Sequence, residues 1–430
     1  MIQRKLFHSL IEHLPQKEMS LIVGPRQAGK TTLMNMLLDY LVHQGENTVF
    51  LSLDFESDQP FFSSQRDLVN KCRLEIGDNQ GFVFIDEIQR KENAGLFLKG
   101  LYDMGLPYKF ILSGSGSLEL KEKIHESLVG RKRIFELNTV SFEEFAHFKT
   151  DYRYQESLHS LFQIEKARGK ELLLEYLNFG GYPRLLLEPK VEEKRKLMDE
   201  IFRSYLERDI GYLLKVEKTE AFSALVKVLA SQVGKLINYS ELSTTLGLSA
   251  KTIKNYLFYI QKTFIIDLVS PYYRNVRKEI TKSPVCYFYD LGLRNYALGL
   301  FGHLVQPLEL GFVFQDFVFN LLKERISFSP AGIHFWRTKD RAEVDFVIDL
   351  GKMVIPIEVK YKELRLPTIG RSLRNFVNRY EPEQAWVINL SMQAELRVGK
   401  TVVRFLPFWE FLDVAPESST VPEKAVTPIY

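Results

Sequence analysis

Between Met19 and about Phe145, short apolar runs alternate with stretches of helical periodicity: Ser20–Val23, Val49–Leu53, Phe82–Ile85, Phe110–Leu112 and Ile134–Leu137. Short runs bounded by polar turns suit strands buried on both faces, and strands that alternate with helices pair in parallel. This part of the chain is therefore expected to form an α/β layer, a parallel sheet covered by helices, over residues 1–150. From about Thr150 to Leu236 the period changes to long amphipathic helices rich in Leu, Glu and Lys, interrupted at Gly180, Gly181 and Pro183, which predicts a helical bundle or lid over 151–235. Between Asn238 and Lys282 two short helical patterns flank Gly247, Leu248 and Ser249, followed by an apolar run and a basic turn. That is the outline of a winged helix-turn-helix over 236–300. A helix (Leu310–Lys323) then precedes two strand-like runs, Glu343–Ile348 and Val354–Val359, joined through Gly351. With a further helix and strand this predicts a small α/β domain over 301–414. Residues 415–430, rich in Pro, Ser, Thr and Val without periodicity, read as a loose tail.

Composition narrows this picture little. At 430 residues the chain exceeds what one core usually supports, so several domains are expected. Basic and acidic residues number 57 and 54, a net charge of +3, so no large single-sign field points to nucleic acid or an anionic membrane. Cys72 and Cys286 stand alone and far apart, which excludes a disulfide framework or a cysteine metal site and suits a reducing compartment. The amino-terminal residues lack the apolar region and cleavage site of a secretory signal. No uncharged apolar run reaches the ~18 residues of a membrane span. A soluble, cytoplasmic protein without membrane attachment is the expectation.

The sharpest chemistry lies in Gly24-Pro25-Arg26-Gln27-Ala28-Gly29-Lys30-Thr31, which has the spacing of a phosphate-binding loop. Gly24 and Gly29 let the backbone turn so that successive N–H groups point into one concavity, completed by the amino terminus of the next helix. Thr32 opens that helix. Lys30 supplies a point charge for the outer phosphates, and the Thr31 hydroxyl is a magnesium ligand. The loop follows an apolar strand and opens a helix, the setting such a loop requires. Downstream, the run Phe82–Ile85 ends in Asp86 and Glu87. Asp86 is expected to hold magnesium through water, and Glu87 to polarise the attacking water as general base. The following run ends in Ser113-Gly114-Ser115, hydroxyls at a strand's carboxyl end, where ligands of open α/β sheets lie. Ser113 is thus a candidate sensor of the outer phosphate. Arg131, before the fifth run, is a candidate phosphate contact in its own or a neighbouring subunit.

The phosphate loop, Phe84-Ile85-Asp86-Glu87-Ile88-Gln89, Ser113-Gly114-Ser115, Gly130-Arg131 and Ser141-Phe142-Glu143-Glu144-Phe145 together resemble a prokaryotic AAA-superfamily ATPase family, archaeal-ATPase-like, whose members carry a C-terminal domain of unknown function. Gly180-Gly181-Tyr182-Pro183, Tyr205-Leu206-Glu207-Arg208-Asp209-Ile210 and Tyr289-Asp290-Leu291-Gly292-Leu293 are similar to further signatures, so the resemblance covers nearly the whole chain. It implies ATP binding and hydrolysis, magnesium dependence and a P-loop core with a parallel five-stranded sheet.

Two further elements carry candidate chemistry. In the helix-turn-helix pattern Ser240 and Ser249 are suitable N-caps, and the second helix would turn Lys251 and Lys254 outward, with Arg274 and Arg277 in a basic wing, as candidate DNA contacts. In the C-terminal hairpin Asp345 and Glu358 come opposite each other, and Lys360 shares a face with Glu358. This is similar to the PD-(D/E)-x-K core of restriction-endonuclease-like enzymes, with one departure: Gln315 stands on the preceding helix where such nucleases commonly carry Glu, and Asp316 points about 100° away around the helix. Three functions stay open at this stage. The first is a magnesium-dependent ATPase that rearranges its C-terminal domains. The second is an ATP-gated metal-dependent DNA nuclease. The third is a nucleotide-held interaction switch with little hydrolysis. DNA, a protein partner or further copies of the chain are the candidate partners.

Overall fold

The computed structural model describes residues 1–115, 128–205, 219–273, 283–326, 331–340 and 342–412. Arg274, Arg277, residues 206–210 of one signature and the tail 415–430 lie outside the described residues. Those described gather into two compact units, each discontinuous in sequence. The first combines Met1–Glu144 with Tyr182–Phe222 and Lys254–Ile265; the second combines Phe145–Gly181 with Ser223–Ile253 and Ile266–Tyr430.

The first unit is built on five strands: β1 (Met19–Gly24), β2 (Thr48–Ser52), β3 (Gly81–Asp86), β4 (Tyr108–Ser115) and β5 (Lys132–Glu136). They pair in parallel in the order β2-β3-β4-β1-β5. The strands fall on the predicted apolar runs, displaced by one to three residues at their ends, where ladder hydrogen bonds rather than apolarity set the limit. β1 has β4 on one side and β5 on the other, so the loop leaving its carboxyl end lies over the interior of the sheet. The helix Lys30–His43 continues that loop. Its Leu33, Met34, Leu37 and Leu41 recur at helical spacing and pack with Leu10, Ile22, Phe84, Ile111 and Phe135 in one buried cluster.

Gly24 is required by close packing at this junction. A Cβ on it would lie 2.0 Å from the Leu137 carbonyl oxygen, because Leu137 N donates to Val23 O at 2.8 Å and brings the backbone after β5 against the strand end. Gly24→Ala is therefore expected to force a backbone shift and cost about 1–3 kcal/mol, seen as a lower thermal unfolding midpoint. A midpoint equal to wild type would mean that the backbone at Leu137 yields freely.

The second unit contains an antiparallel pair, β6 (Ile266–Val269) with β7 (Val285–Phe288), and a six-stranded sheet. The latter comprises β8 (Gly332–Arg337), β9 (Glu343–Asp349), β10 (Val354–Val359), β11 (Gln384–Asn389), β12 (Ala394–Val398) and β13 (Thr401–Pro407), in the order β12-β13-β11-β10-β9-β8. β8, β9 and β10 are antiparallel to one another in turn, whereas β10, β11 and β13 are parallel. The helix Arg371–Tyr380 makes the crossover from β10 to β11. It lays Leu373, Phe376 and Val377 on Val344, Val347, Val387 and Val403 of the sheet.

Of the helix-turn-helix pattern, helices Tyr239–Leu246 and Ala250–Lys262 are present, with Gly247 in the left-handed conformation between them. The first N-cap differs from the expectation. Asn238, not Ser240, caps that helix, its Oδ1 accepting from Ser240 N at 3.1 Å and Glu241 N at 3.3 Å. Asn and Ser are comparable caps, and the extended backbone at Asn238 decides between them. Ser249 accepts from Thr252 N at 3.1 Å, as a cap of the second helix should. Lys251 and Lys254 are exposed, and Ile253, Leu257 and Ile260 are buried.

Candidate nucleotide site

The loop Gly24–Thr31 joins the carboxyl end of β1 to the helix Lys30–His43. Gln27 and Gly29 both have positive φ, 57° and 95°, so the chain turns twice through the left-handed region within three residues and brings its N–H groups round one concavity. Gly29 bears this without cost; Gln27 does so at some strain. Lys30 is buried, and its ammonium donates to Gly24 O at 3.1 Å and Pro25 O at 2.8 Å. The cation thus lies inside the loop it would serve.

Beside it, Thr31 and the end of β3 meet. Thr31 Oγ1 donates to Asp86 Oδ2 at 2.8 Å, although the two residues are 55 positions apart. The hydroxyl is on an exposed residue and the carboxylate on a buried one, so a hydroxyl and a carboxylate oxygen stand together at the mouth of the loop. This is the hard-oxygen donor set that magnesium takes when phosphates and water supply its remaining ligands. The residues fit the ion: Thr31 and Asp86 would hold it, and bound there it would offset phosphate charge.

Glu87 follows directly. Its backbone is left-handed, φ 57°, and its carboxylate accepts from the Gln89 side-chain amide. Burial pushes its pKa above the ordinary carboxylate value, an effect opposed by the Lys30 charge and reinforced by Asp86. A half-buried carboxylate with a raised pKa is a better proton acceptor than a solvated one.

Ser113 occupies a different place from the one expected of a phosphate sensor. It is fully buried, its hydroxyl donates to Asp86 Oδ1, and its oxygen accepts from Glu87 N at 3.2 Å. The parallel register of β3 and β4 sets this side chain beside the two acids, so it orients them rather than facing outward. Arg131 requires a correction for its own chain. It precedes β5 at the level of Met19, where Met19 N donates to Arg131 O at 2.9 Å. It therefore lies at the amino edge of the sheet, about 17 Å of strand rise from the loop at Gly24. There its guanidinium pairs with Asp103 at 2.8 Å. Preceding a strand of a parallel sheet, Arg131 stands at the end opposite the phosphate loop.

Two arginines escaped sequence reasoning. Arg184, directly after Pro183, brings Nη1 to 3.3 Å from Gln27 Oε1 and 3.4 Å from Glu200 Oε2, so a cation from a remote segment borders the loop. The position after Pro183 at a helix start was the available signal. Arg4 is buried and donates to Ala28 O at 2.9 Å; nothing local in the sequence marks it.

The C-terminal acids do not assemble a comparable site. The β9–β10 ladder pairs Ile357 with Phe346, and Asp345 lies just beyond it. Its Oδ2 accepts from Val359 N at 2.7 Å and its Oδ1 from the Gln315 amide at 3.2 Å. Gln315 is also 3.0 Å from the Tyr287 hydroxyl. Burial pushes the Asp345 pKa up to about 7; the Val359 N–H bond opposes that rise and Glu358 adds to it. Glu358 pairs with Lys360 at 2.6 Å. Asp316, around the helix from Gln315, is fully buried and accepts from Phe288 N with both oxygens, at 3.0 and 3.2 Å. It is thus spent on the edge of β7. Among the described residues no group of three or more His, Cys, Asp or Glu side chains is placed to hold a metal ion. Gln315 thus sets a side-chain amide against Asp345 at the helix position where such nucleases commonly carry Glu.

A parallel sheet with this strand order, a glycine loop after β1 and paired acids after β3 defines a P-loop nucleotide-binding fold. Residues 16–146 match the description "AAA domain", while 170–304 and 310–411 match domains of unknown function, DUF8612 and DUF4143. Residues 16–146 are thus similar to AAA domains, in agreement with the sheet and loop of this region. Uncharacterized proteins are similar over most of its length. One from Mycobacterium tuberculosis is 25% identical over 358 residues, 83% of this chain and 72% of the relative. One from Methanocaldococcus jannaschii is 25% identical over 418 residues, 93% and 89% of the two chains. Among solved structures, Aeropyrum pernix ORC1 in complex with DNA overlaps at TM-score 0.29 with 11% identity, covering 68% of this chain and 91% of that one. AMPPCP-bound DnaA from Aquifex aeolicus overlaps at 0.26 with 15% identity, covering 61% and 88%. No helix among the described residues is long and apolar enough to cross a membrane.

Proposed function

We propose that this protein binds ATP with magnesium at Gly24–Thr32 and hydrolyses it with Glu87 as the general base, using nucleotide state to rearrange its C-terminal domains. The observation that carries the reading is the meeting of Thr31 Oγ1 with Asp86 Oδ2 at 2.8 Å beside a buried Lys30. Two elements remote in sequence converge on the ligands a magnesium-bridged polyphosphate needs. Lys30 and the loop amides take the phosphates, Thr31 and Asp86 the ion, and Ser113 fixes the carboxylate of Asp86. Glu87 takes a proton from the attacking water. Arg184, bordering Gln27, is the residue through which a segment outside the sheet senses an occupied loop. The direct test is titration of purified protein with ATP in the presence and absence of magnesium, alongside phosphate release; no magnesium-dependent affinity removes the reading.

In this reading the C-terminal sheet does not cleave DNA, because Asp345 and Glu358 are engaged by Gln315, Val359 and Lys360. The expected result is no cleavage of plasmid or linear DNA with magnesium or manganese; cleavage lost in Glu358→Ala would restore the nuclease reading. Lys251 and Lys254 offer two phosphate contacts, a salt slope of only about −2. The helix that carries them holds DNA only weakly by itself. A cytoplasmic setting suits two buried, unpaired cysteines.

A further inference from the structure

We propose that Arg4 is a positioning residue for the phosphate loop, holding the Ala28–Gly29 peptide in the orientation that presents the Gly29 N–H to phosphate. The proposal rests on the nucleotide reading above and concerns a residue outside every motif of the site. Arg4 is 8% exposed, yet it is charged, and a buried charge persists only when paired and hydrogen-bonded. All three nitrogens of its guanidinium are engaged. Nε donates to Glu144 Oε2 at 3.1 Å, Nη1 to Ala28 O at 2.9 Å, and Nη2 to Asn138 O at 2.7 Å and Thr139 O at 3.3 Å.

Glu144 is itself held in place. It forms a capping box with Ser141, whose hydroxyl accepts from Glu144 N at 3.2 Å while Ser141 N donates to Glu144 Oε2 at 2.9 Å. Its other oxygen accepts from Lys5 N at 2.7 Å. The planar guanidinium therefore has one orientation, fixed by the backbone after β5, and its Nη1 captures the last carbonyl before Gly29. In a planar trans peptide the C=O of one residue and the N–H of the next point in opposite directions. Capture of Ala28 O on the Arg4 side turns the Gly29 N–H away from Arg4. Gly29 needs this external restraint more than another residue would, because at φ 95° and without a side chain it has the widest conformational freedom in the loop. A lysine at position 4 would keep the charge opposite Glu144 but lacks the fork that reaches Ala28, Asn138 and Thr139 together.

The test titrates Mg·ATP and, separately, inorganic triphosphate into wild type, Arg4→Lys and Glu144→Gln. Arg4→Lys is expected to lose affinity for both probes by about tenfold, the effect of one charge-assisted hydrogen bond, and to lower the thermal midpoint as well, since buried carbonyls lose their donor. Glu144→Gln is expected to lower the midpoint while affinity stays within about threefold, since the Arg4 bond to Ala28 remains. Wild-type affinity in Arg4→Lys overturns the proposal, as does affinity loss that merely follows the midpoint in both variants. If the unmutated chain binds neither probe, the nucleotide reading itself fails and Arg4 falls with it. Should Arg4→Lys not fold, the unmutated chain decides. Coupling is reciprocal, so bound nucleotide must slow solvent exchange of the Arg4 guanidinium protons, and unchanged exchange overturns the proposal.

Discussion

Replacing Lys30 by alanine is expected to weaken magnesium-dependent ATP binding by a hundredfold or more while leaving the fold intact. The ammonium is buried inside the loop and satisfied there by the carbonyls of Gly24 and Pro25, at 3.1 and 2.8 Å. Polyphosphate offers it a better partner, since a hydrogen bond between charged groups contributes about 1.5–3 kcal/mol and each 1.4 kcal/mol is tenfold in affinity. Two such contacts give about a hundredfold. The alanine variant leaves the buried carbonyls of Gly24 and Pro25 without that donor, so the thermal midpoint should fall by the equivalent of about 1–3 kcal/mol while the fold persists. Calorimetric titration of both proteins measures the effect; affinity within about threefold of wild type would mean that the loop is not the phosphate site.

The second large effect falls on turnover. Glu87→Gln should bind Mg·ATP as wild type does yet hydrolyse it about 10²–10⁴-fold more slowly, the usual contribution of a positioned general base. The amide preserves the size of the side chain and its contact with Gln89, so binding and folding are spared. What it removes is the proton acceptor that burial has made more basic than a solvated glutamate. The left-handed backbone of Glu87, φ 57°, is strain of order 1–3 kcal/mol for a non-glycine residue, held directly after the strand end that carries Asp86. Single-turnover phosphate release from preformed complex isolates the chemical step. Equal rates in the two proteins would take the base assignment away from Glu87 and leave a nucleotide-held switch.

Much of the amino-terminal fold was legible because its signals are local. Apolar runs such as Phe82–Ile85 mark buried strands wherever they occur, and the glycine spacing of the loop between β1 and its helix is a constraint on eight consecutive residues. The hairpin of β9 and β10 was legible for the same reason, from alternation and a central glycine. Ser240 misled because two adequate caps stood two residues apart, and only the backbone angle at Asn238 chose between them. Ser113 was rightly placed at a strand end, but whether its hydroxyl faced phosphate or Asp86 depended on which strand lay beside it.

By itself the sequence determined that a phosphate loop, a strand ending in two acids and a strand ending in serine belong to one parallel sheet, since each is written in a few neighbouring residues. Tertiary structure alone decided the rest. It brought Arg4 to Ala28 across 24 positions and to Glu144 across 140, paired Arg131 with Asp103, and turned Gln315 onto Asp345. Hydrogen bonds and ion pairs act over about 3 Å, and strand order, not chain order, determines which remote side chains come within that distance.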